Sequence, residues 1–124
     1  MPEPVRLTRR AEFLHAAAKG RKAPMPGLVL QVLPRNDNGP VRLGFTVTKK
    51  IGNAVIRNRT RRRLKEAARL VLAQHPVSGV DLVLIGREGT ARRDFVTLQD
   101  DLRRALARAL RSEPAARPGA GSAT

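Results

Sequence analysis

The residues best suited to chemistry are the basic ones between Thr48 and Arg69. This segment holds nine lysines and arginines and a single acidic residue, Glu66. Arginine presents a planar set of donors that matches phosphate oxygens. A solvated helix face would normally intersperse acidic residues that pair with the basic ones. We therefore predict that the segment binds a polyanion. A nuclear-targeting cluster is disfavoured because an apolar series runs through the segment.

Catalysis by the chain itself finds little support in the sequence. The histidines are His15 and His75, and the carboxylates are scattered. Asp100 and Asp101 are adjacent, so on a helix they point about 100° apart, which suits a two-metal site poorly. No nucleophile and base stand at a spacing typical of covalent catalysis. We expect no catalytic residue and no metal ligand in the protein.

The segment Lys49–Val55 precedes the arginine-rich helix, and two interpretations stay open for it. Its single glycine does not match the Walker or dinucleotide-binding patterns. Gly52 and Asn53 both tolerate positive φ, so the segment could present backbone N–H groups to a phosphate. A tight turn between a strand and a helix is the simpler interpretation.

A polar strand face leads into this segment. Thr46 and Thr48 point away from the apolar side of a predicted strand and are followed by Lys49 and Lys50. Hydroxyls and ammonium groups beside a basic helix could form a groove for a single nucleic-acid strand, or simply an outer face. Phe13, on a predicted first helix, could pack in the core or line that groove.

The composition is that of a small basic protein. Its 124 residues carry a formal net charge of +15, and 20 of the 25 basic residues are arginine. Such self-repulsion favours binding of nucleic acid or, alternatively, of an anionic membrane surface. Cysteine is absent, which excludes disulfides and thiolate metal sites. There is no apolar run of about 18 residues and no signal-peptide core, so we expect a cytoplasmic protein with no membrane partner.

Hydrophobic periodicity predicts three helices and three strands. The helices are expected over Thr8–Gly20, Arg57–Ala73 and Thr97–Ser112, and the strands over Leu28–Leu33, Val41–Thr48 and Val80–Gly86. The Asn38-Gly39 pair predicts an antiparallel hairpin between the first two strands. The third strand is apolar almost throughout, which predicts a central position. Thr97 and Asp100 predict a capping box for the last helix.

The middle helix is predicted to separate apolar and basic residues. Its apolar side should hold Ile56, Thr60, Leu64, Ala67, Ala68 and Val71. Arg59, Arg62 and Arg69 lie opposite, with Arg61, Arg63 and Lys65 on the flanks.

The run LGFTVTKKIGNAVIRNRTRRRLKEAAR resembles the signature of the protein component of bacterial ribonuclease P. The resemblance extends from Arg6 to Leu110 and implies a fold. That fold is a small two-layer α/β sandwich with three helices, a mostly antiparallel sheet and a left-handed β-α-β crossover. The handedness breaks a general rule and does not follow from the sequence pattern. We expect one domain over residues 1–111 and a disordered tail over residues 112–124.

The resemblance also implies a function. In this family a small basic protein joins a catalytic RNA, which removes the 5′ leader of precursor tRNA with Mg²⁺. The protein is then the non-catalytic subunit of an endoribonuclease, monomeric in a 1:1 complex with the RNA, and binds no cofactor directly. The residues that match the RNA-contacting positions are Arg57, Asn58, Arg59, Arg61, Arg62, Lys65, Lys49 and Lys50. The expected lining of the leader cleft is Phe13, Thr46, Thr48 and Arg61.

Two positions depart from the family pattern, and two other functions compete with it. Ala17 and Gln31 stand where family members often carry aromatic residues, so this leader groove should rely less on stacking. The alternatives are a general RNA-binding or ribosomal-type protein with the same charge, and an autonomous small nuclease. The identity of the bound RNA distinguishes the general RNA-binding alternative from a ribonuclease P subunit. Cleavage of RNA by the protein alone would identify an autonomous nuclease.

Overall fold

A five-stranded sheet and two α-helices form the part of the chain that the structure, a computed structural model, describes, which is residues 5–6, 20–35 and 38–111. The strands are β1 (Val5–Arg6), β2 (Arg21–Pro24), β3 (Leu28–Pro34), β4 (Arg42–Thr46) and β5 (Val80–Gly86). The helices are α1 (Ala54–Gln74) and α2 (Phe95–Arg111), and a 3₁₀ turn, Lys49–Ile51, precedes α1. Within these ranges no helix has the length and apolarity needed to cross a bilayer.

The sheet is mixed, with strand order β1-β4-β5-β3-β2. β5 pairs parallel with β4 and antiparallel with β3, and the longest ladder, Leu28–Pro34 against Val80–Gly86, is antiparallel. The central position predicted for β5 is confirmed. Leu82, Val83 and Leu84 are all buried, so the strand is apolar on both faces, as a central position favours.

The predicted hairpin between β3 and β4 is wrong, because β5 lies between these strands. The connection that was expected to close the hairpin pairs instead with the residues leading into β5. The amide of Arg35 donates to the carbonyl of Gly79 at 2.7 Å, and the amide of Gly79 donates to the carbonyl of Gly39 at 2.9 Å. The local turn signal is thus overridden by a nonlocal pairing that buries an apolar strand.

Both helices pack on one face of the sheet and give the predicted two-layer arrangement. Leu30, Leu82 and Leu84 are buried against them in a single cluster. The apolar side predicted for α1 is confirmed except at Ile56, which is exposed, and its buried members are Thr60, Leu64, Ala67, Ala68 and Val71. α1 connects the parallel strands β4 and β5, so a β-α-β crossover is present, and its left-handedness stays a prediction. The first predicted helix and the tail lie outside the described residues.

The capping box predicted at Thr97 is wrong, because α2 begins at Phe95. The Asp94 carboxylate accepts hydrogen bonds from the amide and the hydroxyl of Thr97, both at 3.1 Å, and so caps the helix itself. These hydrogen bonds lower the pKa of Asp94. Asp100 and Asp101 point apart as expected: Asp100 pairs with Arg103 at the surface, whereas Asp101 is buried and accepts from Arg93.

A buried carboxylate joins three segments at the end of the sheet where β5 begins. Asp81 is 1% exposed, and its oxygens accept hydrogen bonds from Arg42 on β4, at 2.7 Å, and from Arg35 after β3, at 2.6 Å. Burial alone would raise the pKa of Asp81, but the two arginines outweigh it and lower the pKa. The charged form therefore stabilises the register of β5 between its neighbours.

We expect Asp81→Asn to lower the free energy of unfolding by about 2–4 kcal/mol, because it leaves two partly buried arginines without their shared carboxylate. Urea denaturation at neutral pH measures the effect. The matched control is Asp100→Asn, which breaks a surface pair and should cost less than about 1 kcal/mol. Equal losses in the two variants would contradict the role given to Asp81.

The same carboxylate predicts a dependence of stability on pH. The pKa of Asp81 is lower in the folded state than in the unfolded state, where aspartate titrates at about 4. Asp81 therefore adds to the free energy of unfolding at pH values above about 4. This stability is lost as the pH falls through the lowered value. The difference between the wild type and Asp81→Asn should therefore shrink as the pH is reduced below that range. A difference that stays constant in acid would contradict this prediction.

Candidate nucleic-acid interface

A short turn connects β4 to the basic helix. Lys49 and Lys50 lie in the 3₁₀ turn and both are exposed. Gly52 follows with φ of 154° and ψ of −163°, a conformation that residues with a Cβ rarely adopt. Asn53 has a φ of −74°, so only the glycine uses the positive-φ freedom that both residues allowed. The segment is thus a tight strand-to-helix turn that displays two lysines.

Asn53 sets the start of α1. Its side-chain oxygen accepts a hydrogen bond from the amide of Ile56 at 3.0 Å, and its carbonyl accepts one from the amide of Arg57. The helix therefore begins at Ala54, three residues before the predicted start. An N-cap asparagine is a recognised helix-start signal, so this boundary could have been predicted from the sequence.

The basic residues of α1 lie where the helical wheel placed them. Thr60 is buried and donates to the carbonyl of Ile56 at 2.8 Å, which fixes the inner side of the helix. The exposed residues on the opposite side are Arg59, Arg62 and Arg69, and the half-buried flanking ones are Arg57, Arg61, Arg63 and Lys65. The basic residues of the 3₁₀ turn and of the first turns of α1 form one continuous cationic surface, which we call the α1 basic surface. Its members are Lys49, Lys50, Arg57, Arg59, Arg61, Arg62 and Lys65.

Two members of this surface are oriented by local hydrogen bonds. Arg57 donates to the carbonyl of Gly52 at 2.8 Å, which holds its side chain against the turn. Arg61 donates to the side-chain oxygen of Asn58 at 3.1 Å. These contacts restrict the side chains before any ligand arrives and so reduce the entropy lost on binding.

Acidic residues in the part of the chain that the structure describes do little to neutralise the α1 basic surface. The first turn of the helix contains none. Glu66 is paired with Arg69, whose guanidinium donates to both carboxylate oxygens, at 3.0 and 2.5 Å. The hydrogen bond from Arg69 lowers the pKa of Glu66, so the carboxylate is charged but already partnered. Within the described ranges no ion pair joins Arg59 or Arg62 to an acidic side chain.

Arg63 differs from its neighbours in the arginine run because it turns toward the protein. Its guanidinium carbon lies 5.6 Å from the centroid of the Phe95 ring, and it donates to the carbonyl of Arg93. A cation over an aromatic ring is an attractive contact. Arg63 therefore connects α1 to the start of α2. The sequence did not reveal this contact, because Phe95 and Arg93 are distant from Arg63 along the chain.

A close approach between Gly86 and Thr60 positions α1 on the sheet. A Cβ atom placed on Gly86 would lie 2.7 Å from the Cγ2 atom of Thr60, well inside van der Waals contact. The end of β5 therefore has to be glycine for the basic half of α1 to sit at this depth. Sequence reasoning missed this contact, since nothing local to either residue signals it.

The residues expected in the leader cleft are only partly brought together. Thr46 is half-buried and pairs in register with Ile85, and Thr48 is exposed immediately before the lysine turn. Gln31 is buried on β3, in register with Val83 on the face away from the helices. Arg61 contacts Asn58 in the described structure. Phe13 and Ala17 lie outside the described residues, so their places in a cleft stay predictions.

Comparison with known proteins bears on this arrangement. A family model described as Ribonuclease P matches residues 1–110. The chain belongs to the ribonuclease P protein family. The ribonuclease P protein component of Gluconacetobacter diazotrophicus is 64% identical over 104 residues, covering 84% of this chain and 90% of the relative. That of Paramagnetospirillum magneticum is 48% identical over 107 residues, covering 83% and 80%. The family resemblance predicted from the basic run is confirmed.

Solved structures of ribonuclease P proteins share the fold. The Staphylococcus aureus protein superposes with a TM-score of 0.73 at 25% identity, covering 86% of this chain and 96% of that one. The Thermotoga maritima protein gives a TM-score of 0.71 at 30% identity, covering 83% and 96%. The predicted α/β fold class is confirmed by these similarities. Among the residues that the structure describes, no cluster of three or more His, Asp or Glu side chains could hold a metal ion.

We expect Gly86→Ala to displace the N-terminal half of α1, because the new methyl group would overlap the Cγ2 atom of Thr60. The loss of stability should be about 1–3 kcal/mol by thermal or urea unfolding. The control is Gly89→Ala, where a Cβ atom meets nothing within 4 Å.

The double variant Gly86→Ala with Thr60→Ser should recover most of the loss, because serine lacks the clashing methyl group yet keeps the hydroxyl that bonds Ile56. If the double variant is no more stable than Gly86→Ala, the close approach does not set the helix position.

Proposed function

We propose that this protein is the non-catalytic subunit of a ribonuclease P ribonucleoprotein, the endoribonuclease that matures the 5′ end of tRNA. It binds the catalytic RNA in a 1:1 complex and contacts the 5′ leader of precursor tRNA, while the RNA and its Mg²⁺ ions perform the hydrolysis. The observation that carries the proposal is the α1 basic surface, an acid-poor array of cations on a rigid helix, in a member of this family.

The chemistry of that surface supports phosphate recognition. Arg59 and Arg62 project one helical turn apart and are exposed, so their planar guanidinium groups can reach successive backbone phosphates. Lys49 and Lys50 add point charges at the helix entrance, and Lys65 adds one a turn further along. Arg57, Asn58 and Arg61 are held by local hydrogen bonds and present fixed donors at the centre.

The leader would enter along the end of β4. Thr46 and Thr48 offer hydroxyl groups there, and Arg61 offers a cation from the neighbouring helix. Phe13 would supply a stacking surface. With Ala17 and Gln31 in place of aromatic residues, each missing stack removes about 1–3 kcal/mol of base contact unless another interaction compensates. Charge should therefore account for a larger share of leader binding.

The alternative is a general RNA-binding or ribosomal-type protein, which would need the same electrostatics. The bound RNA decides between them. Tagged protein purified from its own cells should bring down the ribonuclease P RNA as the main species, identified by sequencing. Ribosomal RNA as the main species would favour the alternative.

We expect the purified protein alone to leave precursor tRNA uncut in Mg²⁺, because no nucleophile and base stand out in its sequence at a spacing typical of catalysis. Addition of the catalytic RNA should restore cleavage at the 5′ end of the mature tRNA. The protein should also lower the KM for a leader-bearing substrate more than for one with a single-nucleotide leader. Cleavage by the protein that survives treatment with ribonuclease would support an autonomous nuclease and contradict the proposal.

We expect Arg59→Ala to weaken binding of the catalytic RNA by about 1–2 kcal/mol, because it removes a charge-assisted contact with phosphate. The slope of log K against log salt should fall by about 1. The control is Arg104→Ala, which removes an exposed arginine from α2 and lowers the net charge equally. Equal effects from the two variants would mean that binding depends on net charge alone and not on the α1 basic surface.

A further inference from the structure

An exposed valine interrupts the α1 basic surface at its start. Val55 is the second residue of α1 and is 74% exposed, and the neighbouring Ile56 is 38% exposed. A β-branched residue at an exposed helical position has a lower helix propensity than alanine. The core does not use the Val55 side chain, so folding of the described structure gives no reason for an apolar group there.

The surroundings of Val55 limit what could cover it. Val55, Arg59 and Arg62 are spaced i, i+4 and i+7, so they share one face of the helix. The two lysines of the 3₁₀ turn lie just before the helix, and no acidic residue occurs in its first turn. A partner that fits must offer negative charge and an apolar surface within a few ångströms of each other. A nucleotide does so, since its phosphate is joined to a ribose and a base with a flat apolar face.

The second helix carries a natural comparison. Val96 is the second residue of α2 and is 64% exposed, so it matches Val55 in residue type, helical position and exposure. It lies two residues after Asp94, whose carboxylate caps the helix. That negative charge would repel a phosphate chain. The residues four and seven positions after Val96 are Asp100 and Arg103, which pair with each other, whereas the corresponding residues after Val55 are Arg59 and Arg62.

We propose that Val55, with the exposed part of Ile56, makes an apolar contact with a ribose or base of the bound RNA, between the phosphates held by the lysine turn and by Arg59. The inference rests on the proposed function and adds to it a contact that is not electrostatic. On this proposal the cations of the α1 basic surface bind the phosphates of the RNA backbone, and Val55 contacts the ribose or base of a nucleotide between them.

The test compares Val55→Ala with Val96→Ala in binding to the ribonuclease P RNA encoded by the same genome and transcribed in vitro. Removal of part of an apolar contact should weaken binding about three- to tenfold in Val55→Ala, with little change in Val96→Ala. The salt slope should stay that of the wild type, because no phosphate contact is lost. Melting temperature should be unchanged or higher, since alanine is the better helix former.

Val55→Thr provides a second measurement, because it keeps the shape and replaces a methyl group with a hydroxyl. It should also weaken binding at an unchanged salt slope. Wild-type affinity in Val55→Ala or in Val55→Thr would overturn the apolar contact, as would equal losses in Val55→Ala and Val96→Ala. Failure of the wild type to prefer this RNA over a control RNA of equal length would overturn the proposed function and, with it, this inference. Preference for the RNA with no effect at Val55 would overturn the inference alone.

Discussion

β5 forms hydrogen bonds with β4 along one edge and with β3 along the other, and the placement of the interface depends on this double pairing. Because β4 and β5 are parallel, the chain must return from the end of one strand to the start of the next. α1 makes that return, so its first residues lie where β4 ends. The lysine turn and the arginines are thus brought together by backbone topology, and Gly86 sets how deeply the helix rests on the sheet.

The distribution of acidic residues explains how so basic a chain can fold. Asp81 and Asp101 are buried partners of arginines, and Asp94 caps α2. Glu66 and Asp100 each pair with an arginine three residues further along the same helix. These five of the ten acidic residues are thus used in internal contacts, and among the described residues none pairs with the arginines in the first turns of α1. Repulsion among those cations opposes folding of the free protein and would be relieved when phosphates bind.

The features that could be predicted from the sequence are those set by residues close together along the chain. The apolar side of α1, the central strand and the exposed arginines follow from periodicity and charge. The structure agrees on all three, apart from Ile56, which is exposed. The hairpin failed because Asn38-Gly39 signals a turn without specifying which strands flank it. The cap at Thr97 failed because Asp94 is an equally good cap one turn earlier. Arg63 stood among surface arginines in the sequence, and only its contact with Phe95 reveals its inward role.

The insertion of β5 between β3 and β4 also has a consequence for the order in which the chain can fold. The β3–β5 ladder joins residues roughly 50 positions apart along the chain. Closing so long a loop costs conformational entropy before the hydrogen bonds of the ladder can form and offset it. During synthesis β3 and β4 leave the ribosome with inner edges that are partners for β5 and not for each other. These edges stay open until Gly86 has itself left the ribosome, by which time the whole of α1 has emerged. The nascent protein therefore displays its arginines to cellular RNA before its sheet can close.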